Sequence, residues 1–219
     1  MQLRIVRRTA PVLYRSPFAV SVWDPPWKPK DKLPGDTRGA DKQYETMDTE
    51  DIAAKRGFSF AFPPLADDHV MFMWRLASMI DDAFYVLKTW GFPTKSEIIW
   101  DKETTNGEDA FGMGRYTRNS HEVCIIAARG RAASQVVHNH SVRSIYRAKL
   151  PTYEPDHPKV LSGEVKAGSR IHSAKPPGMF KDVFEKMCKG PYFEGFAREC
   201  QPGWTAAGNE IPGGVMCLA

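Results

Sequence analysis

The chain of 219 residues carries only four cysteines, Cys124, Cys188, Cys200 and Cys217, and no CxxC pair. That spacing frames neither a zinc site nor a disulfide scaffold, and it fits a reducing cytoplasm. No apolar run reaches the length of a membrane span, and Met1 to Ala10 holds arginines without the apolar stretch of a signal peptide. A soluble, unexported protein with no membrane partner is expected. Low-complexity tracts and internal repeats are missing, which argues against disorder and solenoids. There is no serine elbow and no phosphate-binding P-loop. His121, His138 and His140 have no carboxylate or cysteine at ligand spacing, so no metal is expected.

What is present is an average globular composition, 42% hydrophobic, 26% charged and 11% aromatic, in a length that suits one domain spanning 1–219. The net charge of +4 is modest but uneven. Arg4, Arg7 and Arg8 open the chain, and Lys28, Lys30, Lys32, Arg38 and Lys42 follow a proline pair. Arg115 and Arg118, Arg129 and Arg131, and Arg143, Arg147 and Lys149 add to a footprint for phosphates. Taken alone, the same residues equally describe a solvated surface.

Phe18 to Trp23 is a continuous apolar run stopped by Asp-Pro-Pro, the pattern of a buried strand ending at its carboxyl end. Strands are also predicted at His69 to Trp74, Glu97 to Asp101, Glu122 to Ala128, near Val142 to Arg147, and at Tyr192 to Ala197. Helices are predicted at Thr49 to Arg56, Ser78 to Trp90 and Pro177 to Cys188, from their caps, apolar stripes and prolines. The alternation indicates an α/β sheet of largely parallel strands with ligands at their carboxyl ends. Lys28 to Gln43, Glu103 to Ser120 and Arg131 to Arg170 read as long loops.

Asp24-Pro25-Pro26-Trp27 is the sharpest signal. The lone pair of an adenine amino nitrogen is delocalised into the ring, so a catalyst must hold both N–H groups with acceptors outside that conjugated geometry. The Asp24 carboxylate and the Pro25 carbonyl offer two, Pro25 and Pro26 make the turn rigid, and their carbonyls are expected to face a ligand without competing local donors. Trp27 is expected to stack on the base. The plain alternative is a strand-ending turn with a core tryptophan.

The ordered motifs resemble the adenine-N6 methyltransferases named for the seventy-kilodalton subunit of the messenger-RNA methyltransferase. The resemblance runs from Phe18 to Glu210 through the strand with DPPW, Tyr44-Glu45-Thr46-Met47, Glu97-Ile98-Ile99-Trp100-Asp101-Lys102 and His121-Glu122-Val123-Cys124. It continues through His172-Ser173-Ala174-Lys175-Pro176, Phe196-Ala197-Arg198, Gln201-Pro202-Gly203-Trp204 and Gly208-Asn209-Glu210. It implies an α/β, Rossmann-like class I methyltransferase fold in permuted order, with the catalytic motif ahead of the main cofactor-binding motifs. It further implies S-adenosyl-L-methionine as cofactor, held by Asp24, Ser173, Lys175, Arg198, Asn209 and Glu210, with Lys175 on the methionine carboxylate. Tyr44, Glu122, Lys28, Arg38, Arg115 and Arg118 are the implied nucleic-acid contacts. Arg131 to Arg170 is longer than the family pattern, and Arg198 to Gln201 is shorter than in the eukaryotic enzymes.

The implied activity is methyl transfer to the N6 amino group of adenine in DNA with short or relaxed sequence preference, as in small bacterial and viral members. RNA is the nearest alternative substrate. A non-catalytic nucleic-acid-binding subunit is the alternative from another class, and such a subunit tends to lose the catalytic motif retained here. A homodimer would enlarge the limited nucleic-acid surface of one small subunit.

Overall fold

Apolar and β-branched runs that must hide their side chains become strands, and most of these join one sheet. The structure is a computed structural model that describes residues 4–6, 14, 16–29, 45–113, 116–209, 211 and 216–218, with side chains at 14, 16–29, 45–112, 116–209 and 211. Its strands are β1 (Arg4–Val6), β2 (Phe18–Trp23), β3 (Leu65–Arg75), β4 (Thr94–Glu103), β5 (Gly112–Met113), β6 (Arg118–Asn119), β7 (His121–Arg129), β8 (Ile145–Lys149), β9 (Tyr192–Gly195), β10 (Trp204–Ala207) and β11 (Met216–Leu218). Nine form a sheet in the order β1-β11-β10-β9-β2-β3-β7-β4-β8, and β5 pairs with β6 alone. β7 and β11 run against their neighbours, while β10, β9, β2 and β3 are mutually parallel, as are β4 and β8. The expected α/β sheet is present, and β7 makes it mixed.

Helices cover both faces. α1 (Thr49–Ala54) and α2 (Ile80–Thr89) press Ile52, Ala53, Ala83, Val86 and Leu87 against Trp23, Met71, Met73 and Phe193. α3 (Ala132–Gln135) and a π-helix, Phe180–Glu185, close the other face over Val20, Val22, Phe72 and Trp204. The π-helix lies inside the helix predicted from Pro177 onward, and its wider turn buries Phe180, Val183 and Phe184 together. The ring of Phe184 lies 4.6 Å from that of Phe72, and Phe180 lies 4.9 Å from Trp204. β9 stops before the predicted Ala197 because Phe196 turns into the left-handed region at φ 61°. The stretch Arg131 to Arg170 contains α3, β8 and α4 (Pro158–Leu161), so it is not one open loop.

Side-chain alternation decides what each face carries. On the α1/α2 face a neutral polar chain joins β2 to β3. Trp23 Nε1 donates to Ser21 Oγ at 2.8 Å, Ser21 Oγ lies 2.7 Å from His69 Nε2, and His69 Nδ1 lies 2.7 Å from the Phe18 carbonyl. That carbonyl can only accept, so Nδ1 carries the proton and Nε2 accepts from the Ser21 hydroxyl. Burial pushes His69 down to about 4, which keeps it neutral at pH 7.

Cys124 and Cys188 are free and buried, whereas Cys200 is disulfide-bonded. The expectation of no disulfide fails at Cys200, because the folded chain rather than spacing in sequence decides which thiols meet. Among the described residues no helix is long and apolar enough to cross a membrane.

Candidate active site

Val20, Val22 and Asp24 alternate onto the face opposite Ser21 and Trp23, so Asp24 emerges from that face where β2 ends. Asp24 N donates to the Gly195 carbonyl at 3.5 Å, which sets the ends of β2 and β9 side by side. Gly195 is required here. A Cβ on it would collide with the Trp23 ring, which packs across this strand end. β7 runs the other way, so its beginning rather than its end reaches the same rim and delivers Glu122. Lys102 arrives near the end of β4, on the face shared with Ile98 and Trp100.

These elements assemble a chain of alternating charge. Lys175 Nζ donates to Asp24 Oδ2 at 2.8 Å and lies 3.2 Å from Glu122 Oε2, while Lys102 Nζ stands 3.6 Å from Glu122 Oε1. The Asp24 and Lys175 side chains are 28% and 16% exposed, and Lys175 also stands 5.1 Å above the Trp74 ring. Burial alone would lower the pKa of Lys175, but Asp24 and Glu122 outweigh it and the net shift is upward. Burial would likewise raise that of Glu122, yet Lys175 and Lys102 hold the carboxyl below the usual range. At Lys102 burial wins, and its pKa falls despite Glu122.

Beside this chain opens a cavity of about 370 Å³, within the size range of small-molecule sites. Its walls include Asp24, Trp74, Ser173, Lys175, Glu194, Phe196 and Arg198. Glu194 is among the residues that the sequence reading missed. It points from β9 to the same face as Val22, and its Oε2 is buried without a hydrogen-bond partner among the described residues. Burial, reinforced by Asp24 and Glu199, pushes it up to about 8. The signal was legible as a lone acid inside Tyr192-Phe193-Glu194-Gly195-Phe196, an otherwise apolar strand run.

Of the predicted residues, Asp24, Ser173, Lys175 and Arg198 share the cavity wall, and Glu122 braces Lys175 from behind. Ser173 adopts φ 57°, and its carbonyl accepts from Lys175 Nζ at 3.3 Å. Arg198 Nη1 donates to the His172 carbonyl at 2.7 Å, anchoring the same segment. Asn209 is exposed on the turn after β10 and is not part of the wall. Tyr44, Arg38, Arg115 and Glu210 lie outside the described residues. Arg118 is exposed on β6, and Lys28 is paired with Asp48 at 3.0 Å.

Several expectations change. Trp27 is 2% exposed and donates from Nε1 to the Trp74 carbonyl at 2.9 Å, so it props the turn from within the core and presents no open face to a base. The carbonyls of the proline pair do have local donors. Trp27 N donates to the Pro25 carbonyl at 2.8 Å and Met47 N to the Pro26 carbonyl at 2.7 Å, leaving each with one further lone pair. Arg147 is taken by Glu103 at 2.6 Å, Asp109 at 2.9 Å and Asp101 at 3.4 Å, and Arg129 donates to the carbonyls of Leu65 and Ala66. Arg129 is committed inside the fold, whereas Arg147 stays at the surface with its guanidinium shared among three carboxylates.

Comparison with known proteins gives consistent relationships. The chain is 28% identical over 202 residues to the human N(6)-adenine-specific methyltransferase METTL4, covering 90% of this chain and 38% of that protein. It is 25% identical over 224 residues to the type II methyltransferase M.MunI of Mycoplasma sp, covering 92% and 81%. To the N(6)-adenosine-methyltransferase MT-A70-like protein of Drosophila melanogaster it is 26% identical over 202 residues, covering 90% and 27%. It thus spans about two-fifths of METTL4 but most of M.MunI. Residues 18–210 match the MT-A70 family, from β2 with its terminal Asp24 to the turn beyond β10, and the chain belongs to that family.

Proposed function

We propose that this chain transfers a methyl group from S-adenosylmethionine to the N6 amino group of adenine in DNA. The observation that carries the reading is Asp24 at a strand end, held by Lys175 on the wall of a cavity large enough for a small molecule. The donor set fits the cofactor: Lys175 suits a carboxylate, and the orphaned Glu194 oxygen suits an amino or hydroxyl donor. S-adenosylmethionine supplies, when bound, a methyl group on a positively charged sulfur, an electrophile that needs no further activation.

The chain's own task is then to prepare the nitrogen. Asp24 accepts one N6 hydrogen, and the remaining lone pair of a proline-pair carbonyl accepts the other, which turns the nitrogen lone pair out of conjugation. Methylation would leave N6 with one proton too many, and Asp24 would take that proton from N6 and hand it to solvent. Lys175 holds the Asp24 carboxyl oriented while the cavity is being filled. Preorganised acceptors of this kind contribute about 10²–10³ in rate.

DNA is preferred over RNA because the chain matches M.MunI, a type II methyltransferase, over 81% of that protein but only 27% of the fly adenosine enzyme. Lys28 and Arg118, both exposed, supply candidate phosphate contacts at the rim. The deciding experiment offers labelled cofactor with matched DNA and RNA oligonucleotides. Label in the DNA adenine is expected. Label in RNA alone refutes the substrate, and label in neither refutes the activity.

A further inference from the structure

The segment between β8 and Lys175 includes the end of the Arg131 to Arg170 stretch that reads as longer than the family pattern, and it does not hang free. Pro151 to Tyr153 pairs with Ser169 to Ile171 as a narrow neck. Tyr153 N donates to Ser169 at 2.9 Å, Gly168 N to Tyr153 at 2.8 Å and Ile171 N to Pro151 at 2.9 Å, all carbonyl acceptors. The residues between form a flap containing α4. The neck ends at Ile171, only a few residues before Ser173 and Lys175, and Arg198 grips the intervening His172 carbonyl. The flap is therefore spliced onto the wall that carries the site.

Its side chains are sorted. Glu154, Asp156, Glu164 and Lys166 are exposed, whereas Tyr153 and His157 are half-buried and line the cavity that holds Asp24, Lys175 and Glu194. The two rings meet edge to face, 4.8 Å apart at 71°. His157 Nδ1 accepts from Lys159 N at 3.1 Å, which leaves its ring proton on Nε2 as a donor. A pair of aromatic faces with an edge N–H suits a flat heteroaromatic ring that bears acceptor nitrogens.

We propose that the Tyr153–His157 pair of this flap binds an adenine ring in the cavity. The inference rests on the proposed activity, in which methyl donor and acceptor both carry adenine. The two sources separate by experiment. S-adenosylhomocysteine binding to the full chain is measured by calorimetry, and the KM of an adenine-containing DNA oligonucleotide is measured beside it.

Tyr153→Ala and His157→Ala are each expected to weaken one of these constants by about tenfold, the scale of a lost base stack. A rise confined to the S-adenosylhomocysteine Kd assigns the cofactor's adenine, and a rise confined to the oligonucleotide KM assigns the target. Tyr153→Phe keeps the ring and is expected to recover most of the affinity. Glu154→Gln, on the exposed side of the flap, controls for general loosening, and melting curves confirm folding. If both alanine variants match the parent chain in both constants, the proposal is overturned. Failure of the parent chain itself to bind S-adenosylhomocysteine would instead sink the proposed activity.

Discussion

Two buried polar chains lie on opposite faces of one sheet, and they are finished to different degrees. In the Trp23–Ser21–His69–Phe18 chain each donor meets an acceptor, and no charge is left at pH 7. The Asp24–Lys175–Glu122–Lys102 chain alternates acidic and basic side chains, opens on a cavity, and has beside it a carboxyl whose buried oxygen has no partner among the described residues. Buried polar groups in a fold are normally satisfied. The closed chain serves strand pairing, and the open one leaves valences for something that the protein must bind.

Breaking the open chain at its tip should have the largest effect. Asp24→Ala is expected to lower kcat by at least about 10²–10³ while circular dichroism and melting stay near those of the parent. Full activity in that variant would remove Asp24 from the mechanism. Lys175→Met strands two carboxylates against each other and should cost about 3 kcal/mol of stability. Denaturant titration reads this directly, and an unchanged midpoint would show that the cation is not needed to hold the pair.

The closed chain should respond in the opposite sense. His69→Ala leaves Ser21 and the Phe18 carbonyl unsatisfied and should cost about 1–3 kcal/mol, with the activity of each folded molecule kept. A large fall in activity without a fall in stability would erase the distinction between the chains. Glu194→Gln gives a smaller effect that depends on pH. A carboxyl whose pKa rises to about 8 on folding makes the folded state bind more protons, so stability drains away as pH climbs from the ordinary carboxylate range toward 8. The amide removes that cost, so the apo variant should melt higher than the parent at pH 9, by about 2–4 °C for each kcal/mol relieved, and the gap should shrink toward pH 5. A gap of equal size at both pH values would show that Glu194 does not titrate this way.

Much of this was readable from local chemistry. The Phe18 to Trp23 run dictated a buried strand, the proline pair its end, and alternation the face on which Asp24 emerges. The resemblance supplied Lys175, whose partner lies 151 residues away and which no local pattern could have joined to Asp24. Trp27 was misread because a tryptophan after a turn looks the same in sequence whether it faces a ligand or, as here, hands its N–H to Trp74. The reversal of β7 was also hidden, since one strand's apolar pattern reads alike in both directions, and it is that reversal which brings Glu122 to the rim. Arg129 counted as surface charge until the carbonyls of Leu65 and Ala66 claimed it.

The separation of Asp24 from Lys175 also bears on synthesis. A nascent chain released as far as β8 already carries the acidic turn, yet it lacks the cation that steadies it and β9 and β10 beside it. Such long-range pairing forms late and cooperatively. Synthesis therefore exposes the reactive acid well before the cation that steadies it, and the working pocket is withheld until β9 and β10 have also been made.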